Sequence, residues 1–548
     1  MLKLFRLVFL VIIISPQLFA QIAPNKYRIY FTDKNYSGFS IEHPEEFLSE
    51  KAINRRERQN IQIIENDLPV SKFYIDSLKA LGLNILNTSK WQNTVTIYST
   101  NQILLDTLHH IGFIKSIQKK STEEISSLVQ TNYKSTHSIS EVTNSNIDYG
   151  DSGNQIRLHN GHILHQNGFW GQGITIAVID AGFYNVDILP AFDSLLENNQ
   201  IQAIYDFVDN DDFVFDANNH GMKVLSIIGG NIPGQLIGAA PKANFLLLRS
   251  EDVNSEYSIE EDNWAAAAEF ADSAGADIIN TSLGYTVFDD LSLNYSYRDM
   301  NGNTAFITKA ADIAASKGIL VVVSAGNQGN ATWRYISAPA DGDSVLTVGA
   351  VNAFASYVEF SSQGPSSDGR IKPNVAATGY QTILQDVSGQ VSKGNGTSFS
   401  APIISGLAAC LWQAMPELTN MEILDRIEQS SHQYSNPDYK IGYGVPDFAK
   451  AANLTNAISK RNDGYSIKAY PNPFTQQLSL YLNISKFSNS PIIVELYNVL
   501  GQQLYNKELF TTNNILIIDN LDNLSKGIYI VKITIDNKTH QIKVSKLN

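Results

Sequence analysis

Apolar and polar positions follow four successive textures along the chain. From residue 27 to about 119, strand-like runs at 27–32 and 95–98 alternate with helical stretches at 44–58, 70–81 and 102–110, and an apolar run at 111–117 closes the series. This predicts a small α+β unit. Residues 121–146 are rich in Ser, Thr and Asn with little periodicity and read as an exposed connector that is easy to cut. From 173 to about 453, short β-branched runs at 174–179, 243–249, 277–281, 319–324 and 345–350 alternate with helical runs near 264–273, 304–316, 398–414 and 421–429. That alternation predicts an α/β domain with a parallel sheet covered by helices. From Tyr465 the chain returns to strands and turns, with runs at 492–497 and 527–531, as in a separate small β unit.

The first residues change the picture of where the chain works. Lys3 and Arg6 precede the apolar run 7–14, and Ser15-Pro16-Gln17-Leu18-Phe19-Ala20 follows. This reads as a secretory signal peptide over 1–20, cleaved near Ala20. The apolar run is far shorter than the ~20 residues of a spanning helix, and no later segment reaches that length, so no transmembrane segment is expected after signal removal.

Composition narrows the class. The 548 residues are 43% hydrophobic and 17% charged, which excludes a disordered chain and suggests several domains. The net charge of −14 argues against nucleic acid or an anionic membrane as a partner. A single cysteine, Cys410, excludes an internal disulfide and a multi-cysteine metal site, and is expected to be a buried small hydrophobe.

Three polar residues fall where an α/β sheet presents chemistry, at strand ends and helix starts. Asp180 ends the run 174–179 in Val-Ile-Asp-Ala-Gly, which taken alone also suits a turn aspartate. His220 stands in Asn-His-Gly-Met-Lys-Val at the start of a helical run. Ser398 lies in Gly394-Asn395-Gly396-Thr397-Ser398-Phe399-Ser400-Ala401-Pro402, a glycine-permitted sharp turn entering a helix of small residues. A serine there has an exposed hydroxyl, and its N–H points, with the positive end of the helix, to where an oxyanion would form.

The order Asp180, His220, Ser398 resembles that of the subtilisin-like serine proteases, or subtilases. The resemblance covers roughly 173–453. It extends to Gly238-Ala239-Ala240-Pro241, Asn280-Thr281-Ser282-Leu283-Gly284, Ser324-Ala325-Gly326-Asn327 and Lys372-Pro373-Asn374-Val375-Ala376-Ala377. It implies a subtilisin-like three-layer domain, preceded by a small α+β propeptide and followed by a small β-sandwich. It also implies a triad in which Ser398 attacks a peptide carbonyl, His220 moves the proton and Asp180 orients the imidazole. Asn327 matches the oxyanion asparagine. Ser282, Leu283 and Gly284 match the edge that pairs with substrate backbone, and Ala325 and Gly326 one wall of the pocket for the residue before the scissile bond. Ser337 falls near the floor of that pocket. Broad specificity is the expectation, because backbone pairing ignores most side chains. Ala181, Met222 and Phe399-Ser400 depart from the usual family pattern, which leaves the reaction type intact but touches rate and fine geometry.

The sequence also admits other readings. Gly150-Asp151-Ser152-Gly153 resembles the nucleophile motif of chymotrypsin-like proteases, but a polar connector precedes it and an α/β pattern follows, so a turn at the domain entrance is expected. A noncatalytic surface binding protein on a subtilase fold is the alternative function; it would be favoured by a missing triad member. Asp206, Asp209, Asp211, Asp212 and Asp216 form an acidic loop that is either solvated or a structural calcium site, with no ligand assigned and no cofactor required.

The flanking units complete the reading. Residues 21–150 resemble a propeptide with its linker, with self-cleavage expected within 121–155, ahead of a catalytic domain at 151–455. Residues 465–548 resemble a type IX secretion sorting domain, through Tyr470-Pro471-Asn472-Pro473-Phe474, Leu496-Tyr497-Asn498-Val499-Leu500-Gly501 and Leu524-Ser525-Lys526-Gly527-Ile528-Tyr529. A generic β-sandwich that binds substrate or carbohydrate stays open there. The partners implied are polypeptide substrates and the type IX machinery. The implied route is through periplasm and outer membrane to the cell surface or the medium.

Overall fold

A computed structural model describes residues 22–118, 147–454, 465–470, 474–484, 491–498, 501–509, 515–519, 521–535 and 538–546. The leader at 1–20, the connector at 121–146 and Pro471-Asn472-Pro473 lie outside the described residues. The chain forms two compact units, the first ending at Ala451 and the second beginning at Ala452.

The centre of the first unit is a seven-stranded sheet in the order Val375–Thr378, Leu346–Val351, Leu320–Ser324, Ile278–Thr281, Thr175–Asp180, Asn244–Arg249, Ile201–Asp206. Every neighbouring pair is parallel. Thr175–Asp180 and Leu320–Ser324 are buried at every position, which is why their sequences are continuous apolar runs rather than alternating ones. The first strand, Thr175–Asp180, sits between the strands that run to opposite edges, so its carboxyl end, Asp180, lies at the switch point where α/β sheets open a crevice.

Helices cover both faces. Thr397–Ala414 is buried from Thr397 through Trp412, the mark of a central helix that is apolar all round. Ile259–Ala274 packs beside Phe306–Ser316 and supplies a run of alanines to the core with Trp264. Those small side chains allow close packing, while Asp262, Glu269 and Asp272 of the same helix face a different layer.

That layer is residues 22–118, where Asn84–Ser89, Thr94–Tyr98, Lys26–Phe31 and Ile114–Ile117 form an antiparallel sheet in that order. The sheet has its own core of Tyr27, Ile29, Leu78, Val95, Ile97 and Leu108. It meets the helix Ile259–Ala274 through buried ion pairs. Arg28 grips Asp262 with two nitrogens, and Arg55, Arg56 and Lys90 converge on Asp272. Glu269 accepts from Ser89 Oγ at 2.6 Å and from the N–H groups of Lys90 and Trp91 at 2.7 and 3.0 Å.

The second unit is built of two antiparallel sheets. One holds Tyr465–Tyr470, Leu478–Ile484 and Ile515–Ile518; the other Gln503–Leu509, Ile492–Asn498, Gly527–Ile535 and Lys538–Lys546. They share one core, with Leu478 and Leu480 from the first sheet and Val494, Leu496, Val531 and Ile533 from the second. The alternating burial along Ile492–Asn498 reflects a strand with one face inward.

Candidate active site

Asp180, at the end of its strand, is fully buried. Its Oδ1 accepts from the Ala181 N–H at 2.8 Å and stands 2.6 Å from His220 Nδ1. Oδ2 has no hydrogen-bond partner. Ala181 occupies the position where a hydroxyl residue usually follows, so the adjacent side chain offers that oxygen no donor.

His220 opens the helix His220–Gly229, and its N–H donates to Asn218 Oδ1 at 2.8 Å. The next residue must be glycine for steric reasons: a Cβ at Gly221 would lie 2.6 Å from the Gly182 carbonyl oxygen and 2.9 Å from Asp180 Cβ. The missing side chain lets imidazole and carboxylate meet. Burial lowers the His220 pKa, but the charge and hydrogen bond of Asp180 outweigh it and hold the imidazole above its usual value.

Ser398 lies in the first turn of Thr397–Ala414, where its N–H has no intrahelical acceptor. Four residues on, Pro402 lacks the N–H that would bond the Ser398 carbonyl. Ser282 Oγ donates to that carbonyl at 2.9 Å, and Ser398 Oγ donates to the Ser282 carbonyl at 3.1 Å. Asn280 Nδ2 supports Ser282 Oγ at 3.3 Å. The serine hydroxyl thus rests on the Ser282 carbonyl.

Asn327 follows Leu320–Ser324 and the turn Ala325-Gly326. Its Oδ1 accepts from Thr397 N at 2.8 Å and from Thr397 Oγ1 at 3.0 Å, which fixes which face of the amide is free. Gly396, at φ 150°, has no side chain, and the point its Cβ would occupy is 3.6 Å from Asn327 Nδ2 and 3.7 Å from Ser398 N. Two donors, Asn327 Nδ2 and Ser398 N, therefore lie near one small space beside the serine, with Asn327 Oδ1 slightly farther at 3.8 Å.

Two of the remaining candidates meet at one residue. Gly284 and Gly326 both face Ser337 Oγ: their added Cβ atoms would lie 2.2 and 3.1 Å from it. Leu283 is half-buried between them and the core formed with Ala325. Ser152, by contrast, is locked away. Its Oγ donates toward the carbonyls of Tyr149 (2.8 Å) and Ile237 (3.0 Å) and accepts from the Ile237 N–H (2.9 Å).

Asp206 departs from a solvated loop, since it is buried and paired with Arg249 at 2.6 Å; Asp209 pairs with the same arginine at 2.6 Å but is exposed. Among the described residues no group of three or more His, Cys, Asp or Glu is placed to hold a metal ion, and no helix is long and apolar enough to cross a membrane. Cys410 is buried with its thiol against the Ala239 carbonyl, and burial raises its pKa. Sequence reasoning did not single out Thr397 as the clamp on Asn327. Its signal was its place between Gly396 and Ser398.

The model of the subtilase family, peptidase S8, matches residues 171–444, half of the chain. The chain belongs to the subtilase family. A peptidase S8 propeptide domain of Bacteroidota matches 26–137 and a secretion system C-terminal sorting domain matches 468–546. A thermophilic serine proteinase of Bacillus sp. (strain AK1) is 32% identical over 275 residues, covering 50% of this chain and 60% of that protein. Subtilisin E of Bacillus subtilis is 30% identical over 295 residues, covering 53% of this chain and 68% of that protein. Among solved structures, MycP1 from Mycobacterium smegmatis is 27% identical, with a TM-score of 0.42, covering 56% of this chain and 86% of that one. The chain thus spans less than two thirds of the thermophilic proteinase, and just over that share of subtilisin E.

Proposed function

We propose that this subtilase is an exported serine endopeptidase, made as a zymogen, that works through Asp180, His220 and Ser398. Ser398 Oγ attacks the peptide carbonyl carbon as His220 Nε2 takes its proton. The carbonyl oxygen becomes negative and receives hydrogen bonds from Asn327 Nδ2 and the Ser398 N–H. The C–N bond then breaks, His220 returns the proton to the leaving amine, and water hydrolyses the acyl-enzyme by the same sequence. The observation that carries this reading is the space at Gly396, flanked by two donors beside the serine. Such donors stabilise charge that appears only in the transition state.

The substrate is an extended polypeptide laid along Ser282-Leu283-Gly284, with the residue before the scissile bond between Gly284, Gly326 and Ser337. Residues 22–118 and the connector accompany the enzyme as propeptide until cut. The terminal unit directs the chain through periplasm and outer membrane by type IX export. Incubating purified protein and Ser398→Ala with an unstructured protein, and sequencing the fragments, tests the chemistry: cleavage abolished by the substitution supports it, and equal fragments from both reject it. A serine-directed phosphonate must label the protein and its Ser152→Ala variant, and not Ser398→Ala. Deleting residues 465–548 must leave the protein in the periplasm; normal release rejects the sorting role.

A further inference from the structure

The parallel sheet of the first unit has an open edge. Its outermost strand, Ile201–Asp206, pairs with Asn244–Arg249 and has no strand on its other side among the described residues. The Phe207 N–H turns inward to the Arg249 carbonyl at 2.9 Å, whereas the Asp206 N–H turns outward and is taken at 2.8 Å by the Asp211 carbonyl of the following turn. Backbone groups alternate in direction along a strand, so those of Ile204 also point off the edge, beyond the reach of that turn.

Beside the edge lies a groove of about 340 Å³, walled by Leu195 and Leu196 of the short helix Asp193–Glu197, by Ile201 and Ile204 of the strand, and by Phe215. It opens to solvent. Leu196 is 37% exposed, Gln202 on the strand wall is exposed, and Phe213, whose ring meets that of Phe215 edge-on at 5.7 Å, is 47% exposed. The strand's other face is closed, since Tyr205 stacks on Phe270 of Ile259–Ala274.

The charge around this groove has one sign. Exposed acids stand at both ends of the strand, Asp193 and Glu197 on the helix before it and Asp211, Asp212 and Asp216 in the segment after it. No lysine or arginine occurs from Ala181 to Met222. Arg249 is committed to Asp206 and Asp209, and among the described residues none of the five exposed acids has a basic partner.

An unpaired strand edge with apolar surface beside it is a template for another extended chain. A second copy of this protein fits poorly, because it brings the same carboxyls against these and like charges across an interface repel. An extended segment that is apolar in its middle and carries lysine or arginine at its ends matches every feature. Its main chain bonds the edge, its apolar side chains enter the groove, and its cations meet the acids at either end.

We propose that Ile201–Asp206 and the groove beside it form a docking site for an extended, basic segment of a partner polypeptide. The site lies two places along the sheet from the strand that ends in Asp180, about 10 Å to its side, and apart from Ser282-Leu283-Gly284. Docking there needs no triad, so the proposal stands independently of the endopeptidase reading; together they give the enzyme a hold on polypeptides remote from the scissile bond.

The test uses the full chain as Ser398→Ala, so that no probe is cut, and fluorescence anisotropy of two short labelled peptides. One is a run of valine and threonine flanked at both ends by lysines; the other carries glutamates in place of the lysines. The lysine peptide should bind about 10-fold more tightly or better, as several exposed ion pairs together allow, and the difference should shrink as salt is raised. Ile204→Pro deletes an outward N–H at an edge position where proline is tolerated, and Glu197→Lys combined with Asp212→Lys changes only exposed side chains. Each change should lower affinity for the lysine peptide by about 10-fold. Equal affinity for the two peptides, or binding that survives both changes, overturns the proposal; if Ile204→Pro does not fold, the charge reversal decides alone. A concentration-dependent dimer in sedimentation that Ile204→Pro abolishes also overturns it, and makes the edge a contact between copies. None of these results bears on Ser398-dependent cleavage, which the fragment assay tests separately.

Discussion

Ser282 and Ser398 exchange two hydrogen bonds, each hydroxyl donating to the other's carbonyl, at 2.9 and 3.1 Å. The pairing exists because Pro402 leaves the Ser398 carbonyl without its helical donor. Ser282→Ala should leave that buried carbonyl unsatisfied, at a cost of about 1–3 kcal/mol. Urea unfolding of the variant should show the loss, and kcat should fall because the nucleophile's turn is less firmly held. Ser282→Thr retains the hydroxyl and should recover both.

The link between His220 and Asp180 sets the pH dependence. Asp180 raises the imidazole pKa against the opposing effect of burial, and the proposed reaction needs the neutral imidazole as base. Activity is therefore absent well below that pKa and appears as pH rises through it, so the acid limb of kcat/KM should lie above the ordinary histidine value of about 6.5. Asp180→Asn removes both raising influences and leaves burial. The acid limb of the residual activity should move to lower pH, and kcat should fall by about 10⁴-fold through loss of the correct tautomer. A pH profile of both proteins checks the direction.

Asn327 and Thr397 separate a donor from its holder. Asn327→Ala deletes one of the two donors facing Gly396 and should cost about 2.7–4 kcal/mol in the barrier, seen as a drop of about 10²–10³ in kcat with KM little changed. Thr397→Val keeps the N–H bond to Asn327 Oδ1 and removes the hydroxyl bond. It should give a smaller loss in kcat, since the amide then has one anchor instead of two. Steady-state kinetics on one peptide distinguish the two variants.

How far sequence reading reached follows from the range of each interaction. The buried parallel strands were legible because burial on both faces leaves continuous apolar runs: the expected 174–179 and 319–324 differ by a residue or so from Thr175–Asp180 and Leu320–Ser324. The edge strand Ile201–Asp206, half-exposed with mixed polarity, gave no such run. Asp180, His220, Ser398 and Asn327 were singled out through the short motifs around them, and the structure brings Asp180 to His220 and Asn327 to the residue before Ser398. Arg55 and Arg56 fall in the helical stretch expected at 44–58, yet both are buried, because Asp272, more than two hundred residues away, meets them. No local pattern signals such a partner, although Asp262, Glu269 and Asp272 recur at helical spacing in an otherwise alanine-rich run.

That ion cluster gives the propeptide layer a measurable anchor. Burial alone would raise the Asp272 pKa, but Lys90, Arg55 and Arg56 hold its carboxyl well below the usual range. A carboxyl depressed in the folded state contributes stability above its unfolded pKa, near 3.9, and loses it only as pH falls through the folded value. Mild acid near pH 5 should therefore leave this contact in place, and moderate salt should do little, since buried pairs are weakly screened. Asp272→Asn acts differently, leaving three buried cations without their shared counter-ion. In a full chain kept uncleaved by Ser398→Ala, it should lower stability by about 3–5 kcal/mol in urea unfolding. Asp425→Asn, an exposed carboxyl on the helix Asn420–Ser430, should change it by less than about 0.5 kcal/mol in the same assay.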